Sequence, residues 1–144
     1  MQKRILFVGL LLFCTFFIKA QSIDSWKVYH DKQLIFETSE LNRGKNTITL
    51  QSADLQRKGY LLITYQQAQP QNAMQRSMAV TDASGKILMQ KPNVAMLSLL
   101  HSDIKDLSKI KKELRVVTWL LPPNATNKTA GPAQQKILCI ILVQ

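Results

Sequence analysis

The stretch Lys136-Ile-Leu-Cys-Ile-Ile-Leu-Val-Gln144 is apolar at every position from Ile137 to Val143. A strand with one face in water alternates apolar and polar residues, so an unbroken run rich in Ile and Val predicts a strand buried on both faces. It is read as a central strand, with the rest of the chain packed around it.

Working back from that strand, short runs of aromatic and β-branched residues recur along the chain. Trp26-Lys-Val-Tyr-His30 and Gln33-Leu-Ile-Phe-Glu-Thr38 show half-buried alternation, with Trp26, Val28 and His30 on one side, and Asp31-Lys32 between them is the length of a tight hairpin. Gly44, flanked by Asn42 and Asn46, marks a break before Thr47-Ile-Thr-Leu50. Tyr60-Leu-Leu-Ile-Thr-Tyr65 is apolar on both faces and predicts a second sheet-centre strand. Ser77-Met-Ala-Val-Thr81 and Lys86-Ile-Leu-Met-Gln90, joined through Gly85, predict another hairpin. Val94 to His101 reads as a strand, although Leu97, Leu100, Ile104 and Leu107 also keep helical spacing. A short helix is expected from Asp103 to about Lys112, because Asp103 and Asp106 can accept free backbone N–H groups. Arg115 to Leu121 resumes strand character and stops at Pro122-Pro123. About seven to nine short strands and one short helix near 103–112 predict a mainly β fold, an antiparallel β-sandwich of immunoglobulin-like or C2-like type, with a partly closed barrel as the alternative.

Residues 1–20 have the three parts of a secretory signal peptide: Lys3 and Arg4, the apolar core Ile5 to Ile18, and small Ala20 at the expected cleavage site. Cys14 lies inside that core behind bulky Phe13, which argues against lipidation. Residues 21–144 are then expected to form a single domain, periplasmic or secreted, with no transmembrane segment after cleavage. Losing Lys3, Arg4 and Lys19 lowers the formal net charge from +10 to +7, still basic enough for an anionic partner such as a lipid head group or acidic polysaccharide. Cys139 alone survives processing, so no internal disulfide forms, and among Leu138, Ile140 and Ile141 it reads as a buried apolar residue. Asn124-Ala-Thr126 and Asn127-Lys-Thr129 match the N-glycosylation pattern and are used only where that machinery exists.

Sequence spacing supplies no catalytic residue, cofactor or metal set. The two histidines, His30 and His101, have no His, Cys or acidic partner at i, i+4, and each reads as a strand-end residue. The pairs Glu37/Glu40 and Asp103/Asp106 are explained by turns and a helix cap, and no nucleophile elbow, phosphate loop or Cys-x-x-Cys is present. Lys105, Lys109 and Lys112 fall at i, i+4 and i+7 with Arg115 just beyond, a candidate anion-binding surface. No aromatic residue interleaves with the lysines from Asp103 to Lys112, which argues against nucleic acid.

Trp26-Lys-Val-Tyr-His30 with Leu34-Ile-Phe36, Gly59-Tyr-Leu-Leu-Ile-Thr-Tyr65, Val117-Thr-Trp-Leu-Leu-Pro122 and Leu138-Cys139 together resemble small secreted proteins of Bacteroidetes-type bacteria. The resemblance implies an exported β-sandwich and carries no catalytic residues. The expected function is that of a non-enzymatic module binding another protein or an envelope component. Binding of an anionic ligand through Lys105, Lys109, Lys112 and Arg115 is the alternative.

Overall fold

A computed structural model describes residues 23–69, 74–122 and 135–144. The expected leader and both glycosylation motifs lie outside the described residues. Among the described residues, nine strands form two sheets. They are β1 (Ser25–His30), β2 (Gln33–Thr38), β3 (Thr47–Leu50), β4 (Tyr60–Gln66), β5 (Gln75–Asp82), β6 (Ile87–Lys91), β7 (Met96–Leu100), β8 (Glu113–Leu121) and β9 (Lys136–Val143). The four-stranded sheet has the order β2-β1-β4-β7 and the five-stranded sheet the order β3-β9-β8-β5-β6, and neither closes into a barrel. One helix, α1 (His101–Ile110), and a 3-10 turn (Asp54–Gln56) complete the described elements. No described helix is long and apolar enough to cross a membrane.

The closing strand occupies an interior place, between β3 and β8. Leu138 to Ile141 are all buried, and the core takes Leu138, Cys139 and Ile141 from β9, Trp26, Val28, Leu61, Ile63, Leu97 and Leu99 from the four-stranded sheet, and Met78, Val80, Leu114 and Val116 from β5 and β8. A smaller apolar cluster of Ala79, Val117 and Trp119, with Ile137, Ile87 and Leu121 against it, is built from β5, β6, β8 and β9. β5 and β8, central in the same sheet, are therefore apolar in near-continuous runs, as β9 is. Burial pushes the Cys139 thiol up to about 12, so it stays protonated and packs as a small apolar group.

β9 is also irregular. Val116 pairs with Cys139 and Val117 with Ile137, so Leu138 is an extra residue with no partner on β8. Such a bulge leaves a backbone group outside the ladder. The carbonyl of Leu138 instead accepts the indole N–H of Trp26 at 2.8 Å, a buried hydrogen bond from one sheet to the other. Trp26 in turn stacks on Tyr65, ring centroids 6.3 Å apart and planes within 4°. The Tyr65 hydroxyl donates to Asp24 at 2.6 Å and accepts from Lys136, the first residue of β9, at 3.0 Å. Burial opposes ionisation of Asp24, but Tyr65, the Ala68 N–H, Lys136 and Arg76 outweigh it and hold the carboxyl below its ordinary value.

Both expected hairpins form. Asp31 and Lys32 take φ of 48° and 74°, the left-handed pair that a two-residue connection requires and that is commonly supplied by Asn-Gly. Gly85 takes φ of 86° in the β5–β6 turn, where the Asp82 carboxylate accepts from the backbone of Ser84 and Lys86.

Two expectations need correction. The fold is not wholly antiparallel: β3 runs parallel to β9, from Thr47↔Ile140 to Leu50↔Val143, which is possible because residues 51–135 of the sequence lie between them. The helix spans His101–Ile110 rather than 103–112. Asp103 does accept a free N–H, but that of Leu100 at 3.2 Å, so it sits in the third helical position and the helix begins two residues early. The strand expected from Val94 to His101 forms as β7, where Leu97 and Leu99 point into the core while Met96, Ser98 and Leu100 stay exposed.

Removing residues 137–144 deletes a strand with two hydrogen-bonded neighbours. Leu138 and Ile141 alone are each worth about 1.5–3 kcal/mol of burial, against a total stability for an ordinary domain of about 5–15 kcal/mol. The truncated chain is expected to show no cooperative thermal transition, and calorimetry that recorded one would contradict this account of β9.

Candidate functional site

Two surface regions concentrate unusual side chains. The first is the outer face of the four-stranded sheet. Register places Leu34, Tyr29, Leu62 and Ser98 in one row across β2, β1, β4 and β7, with Tyr60 opposite Leu100 and Thr64 opposite Met96 on the same face. A bulge in β2 shifts its register between Phe36 and Leu34, so Ile35 is the extra residue and joins Leu34 beside Tyr29. Leu34, Ile35, Met96 and Leu100 are 47%, 42%, 55% and 52% exposed. The Lys27–Glu37 ion pair, 3.2 Å, borders this apolar surface. β4, apolar on both faces, is expected at a sheet centre. It is interior in its sheet, but only Leu61, Ile63 and Tyr65 are buried, while Leu62 and Tyr60 stand half-buried on the outer face.

The second region is the end of the sandwich where the β1–β2 turn meets the start of α1. His30 closes β1 and His101 opens α1. Their Nε2 atoms lie 2.9 Å apart, with ring centroids separated by 5.0 Å. His101 is only 2% exposed. Its Nδ1 is 3.2 Å from the carbonyl oxygen of Arg57, which can only accept, so Nδ1 carries the hydrogen. In the neutral ring His101 Nε2 is then a bare acceptor, and His30 Nε2 supplies the hydrogen between the two. Asp31 adds a carboxylate with Oδ2 3.7 Å from His30 Nε2. Its Oδ1 accepts the Tyr60 N–H at 2.9 Å, and that bond, with help from the histidines and Arg57, holds the carboxyl below its ordinary value. Gly59 makes the approach possible, since a Cβ there would lie 2.4 Å from Cε1 of His101 and 2.6 Å from Asp31 Oδ1.

The four basic residues singled out by spacing do not form one surface. Lys105, Lys109 and Lys112 line a shallow cleft of about 330 Å³ with Ser52, Ser108 and the chain end Val143-Gln144. Two of them are engaged, Lys105 with Gln56 at 2.8 Å and Lys109 with Asp106 at 2.7 Å. Arg115 is on β8, bonded to Glu113 at 2.7 Å, and borders a different cleft with Arg43 and Ser84. The helix ends at Ile110, so the spacing that aligned Lys112 and Arg115 with the helix no longer applies beyond it. His30 and His101 were each read alone. They are 71 residues apart in sequence, and only the pairing of β1 with β4 and of β4 with β7 brings them together.

No family model, curated protein or solved structure matches this chain.

Gly59→Ala is expected to force His101 and Asp31 apart and to cost about 1–3 kcal/mol, as overpacking of a filled site does. Denaturant unfolding measures it. A loss within about 0.5 kcal/mol, the range of ordinary surface changes, would mean that the cluster is not tightly held.

Proposed function

We propose that the chain is an exported, non-enzymatic β-sandwich of immunoglobulin-like or C2-like type, and that it recognises a protein or an envelope component through the outer face of its four-stranded sheet. One observation carries this reading: Leu34, Ile35, Tyr29, Leu62, Leu100 and Met96 make a shared apolar surface on a face that no other described element covers. Isolated exposed apolar residues are ordinary, but a contiguous set across four strands is the mark of an interaction site. Tyr29 and Tyr60 supply large area at low entropy cost, and β2 adds an edge that no other described strand pairs with, next to the same surface.

A second reading, an anionic ligand such as a lipid head group or acidic polysaccharide, is supported by the convergence of Lys105, Lys109 and Lys112 on one cleft. Arg115 takes no part in it.

The test is capture from the native envelope by immobilised protein, wild type against Leu34→Asp/Ile35→Asp. Both positions are exposed, so the double variant is expected to keep the wild-type melting temperature within a few degrees and to lose the captured component. Undiminished capture by the variant would overturn the outer-face reading. Capture that survives added salt supports the apolar surface, whereas steep loss with salt supports the lysine cleft.

A further inference from the structure

We propose that His30, Asp31 and His101 form a binding site for one divalent transition-metal ion of the zinc type. The three donor atoms all lie within 4.8 Å of one another. Two imidazole nitrogens and one carboxylate oxygen suit Zn²⁺ and its transition-series neighbours, whereas Ca²⁺ and Mg²⁺ prefer sets made of oxygen alone. The 2.9 Å between the two Nε2 atoms is a few tenths of an ångström short of the roughly 3.3 Å that a tetrahedral ion with bonds of about 2.05 Å sets between two ligands. A small rotation of the partly exposed His30 ring makes up the difference.

A hydrogen bond between two histidines would need neither the third donor nor the outer supports, and both are present. The Arg57 carbonyl accepts from His101 Nδ1, the arrangement that fixes the tautomer of a metal-ligating histidine and turns the lone pair of Nε2 toward the ion. Asp31 is held in the same way, its Oδ1 on the Tyr60 N–H and its Oδ2 toward the histidines. When an ion takes the place of the bridging hydrogen, the His30 proton moves from Nε2 to Nδ1, so the neutral ring serves as a ligand with no change in its charge. The guanidinium of Arg57, whose charge acts on Asp31, is paired with Asp54 at 2.9 Å. The side chains of His30 and Asp31 are 23% and 44% exposed, which gives the ion an entry path and leaves room for a water or an external donor to complete its coordination.

His30 and His101 are the only histidines of the chain, so protein purified without a histidine tag carries all its imidazole here. Titration of that protein with Zn²⁺ by calorimetry, and with Co²⁺ by visible absorption, is expected to saturate at one ion per chain, with the intense Co²⁺ bands of a low-symmetry site. His30→Ala removes a ligand that is partly exposed and is expected to weaken binding by at least about 100-fold, beyond the 10–100-fold typical of supporting residues. Asp31→Asn keeps the acceptor for the Tyr60 N–H and tolerates the left-handed turn but loses the anionic donor, and it is expected to weaken binding by at least about 10-fold. Absence of saturable binding in the wild type would overturn the site, and so would unchanged binding in both variants, which would place the ion elsewhere.

Discussion

The hydrogen bond from the Trp26 indole to the Leu138 carbonyl is the point on which the two sheets are keyed. A bulge in a buried strand leaves a backbone carbonyl without its ladder partner, and a carbonyl buried in that condition costs about 1–3 kcal/mol. A tryptophan in a core has the opposite need, an N–H with nowhere to go. Here each answers the other across the sandwich. The same bulge re-phases β9, so that both Leu138 and Cys139 face the core rather than alternating. Tyr65, stacked on Trp26, carries the link on to Asp24 and to Lys136 at the start of β9.

Much of this was legible in the chain because burial on both faces writes itself into sequence as continuous apolar runs. Lys136 to Val143 and Arg115 to Leu121 were readable for that reason, the Asp31-Lys32 hairpin followed from the length of the connection, and the hairpin at Gly85 followed from turn chemistry. β4 shows the limit of the rule. Leu62 and Tyr60 made it look doubly buried, yet their face is the outer surface of the sandwich, and an apolar residue turned to solvent has the same letter as one turned to the core. The parallel pairing of β3 with β9 was not legible at all, because strand order depends on contacts between segments far apart in sequence, Thr47 with Ile140, and leaves no local pattern.

The candidate sites were less legible than the fold. Lysines spaced along a helix are visible in sequence, but the helix stops at Ile110, and the structure separates Arg115 from Lys105, Lys109 and Lys112. His30 and His101 gave no signal as a pair, since helical spacing registers only neighbours in sequence and theirs is the proximity of a strand end to a helix start. Two local features could have pointed to them: an acidic residue directly after His30, at a turn, and a glycine immediately before β4, where any side chain would collide with His101. The outer face was hidden for a third reason. Its residues come one or two at a time from four strands, and only the register assembles them.

Hydrogen exchange at the Trp26 indole N–H, followed by NMR, tests the central claim most directly. If this bond keys the two sheets, the proton exchanges only through global unfolding, with a free energy equal to that from denaturant unfolding. Exchange as fast as that of a solvent-exposed indole would show that the sheets hold together without it.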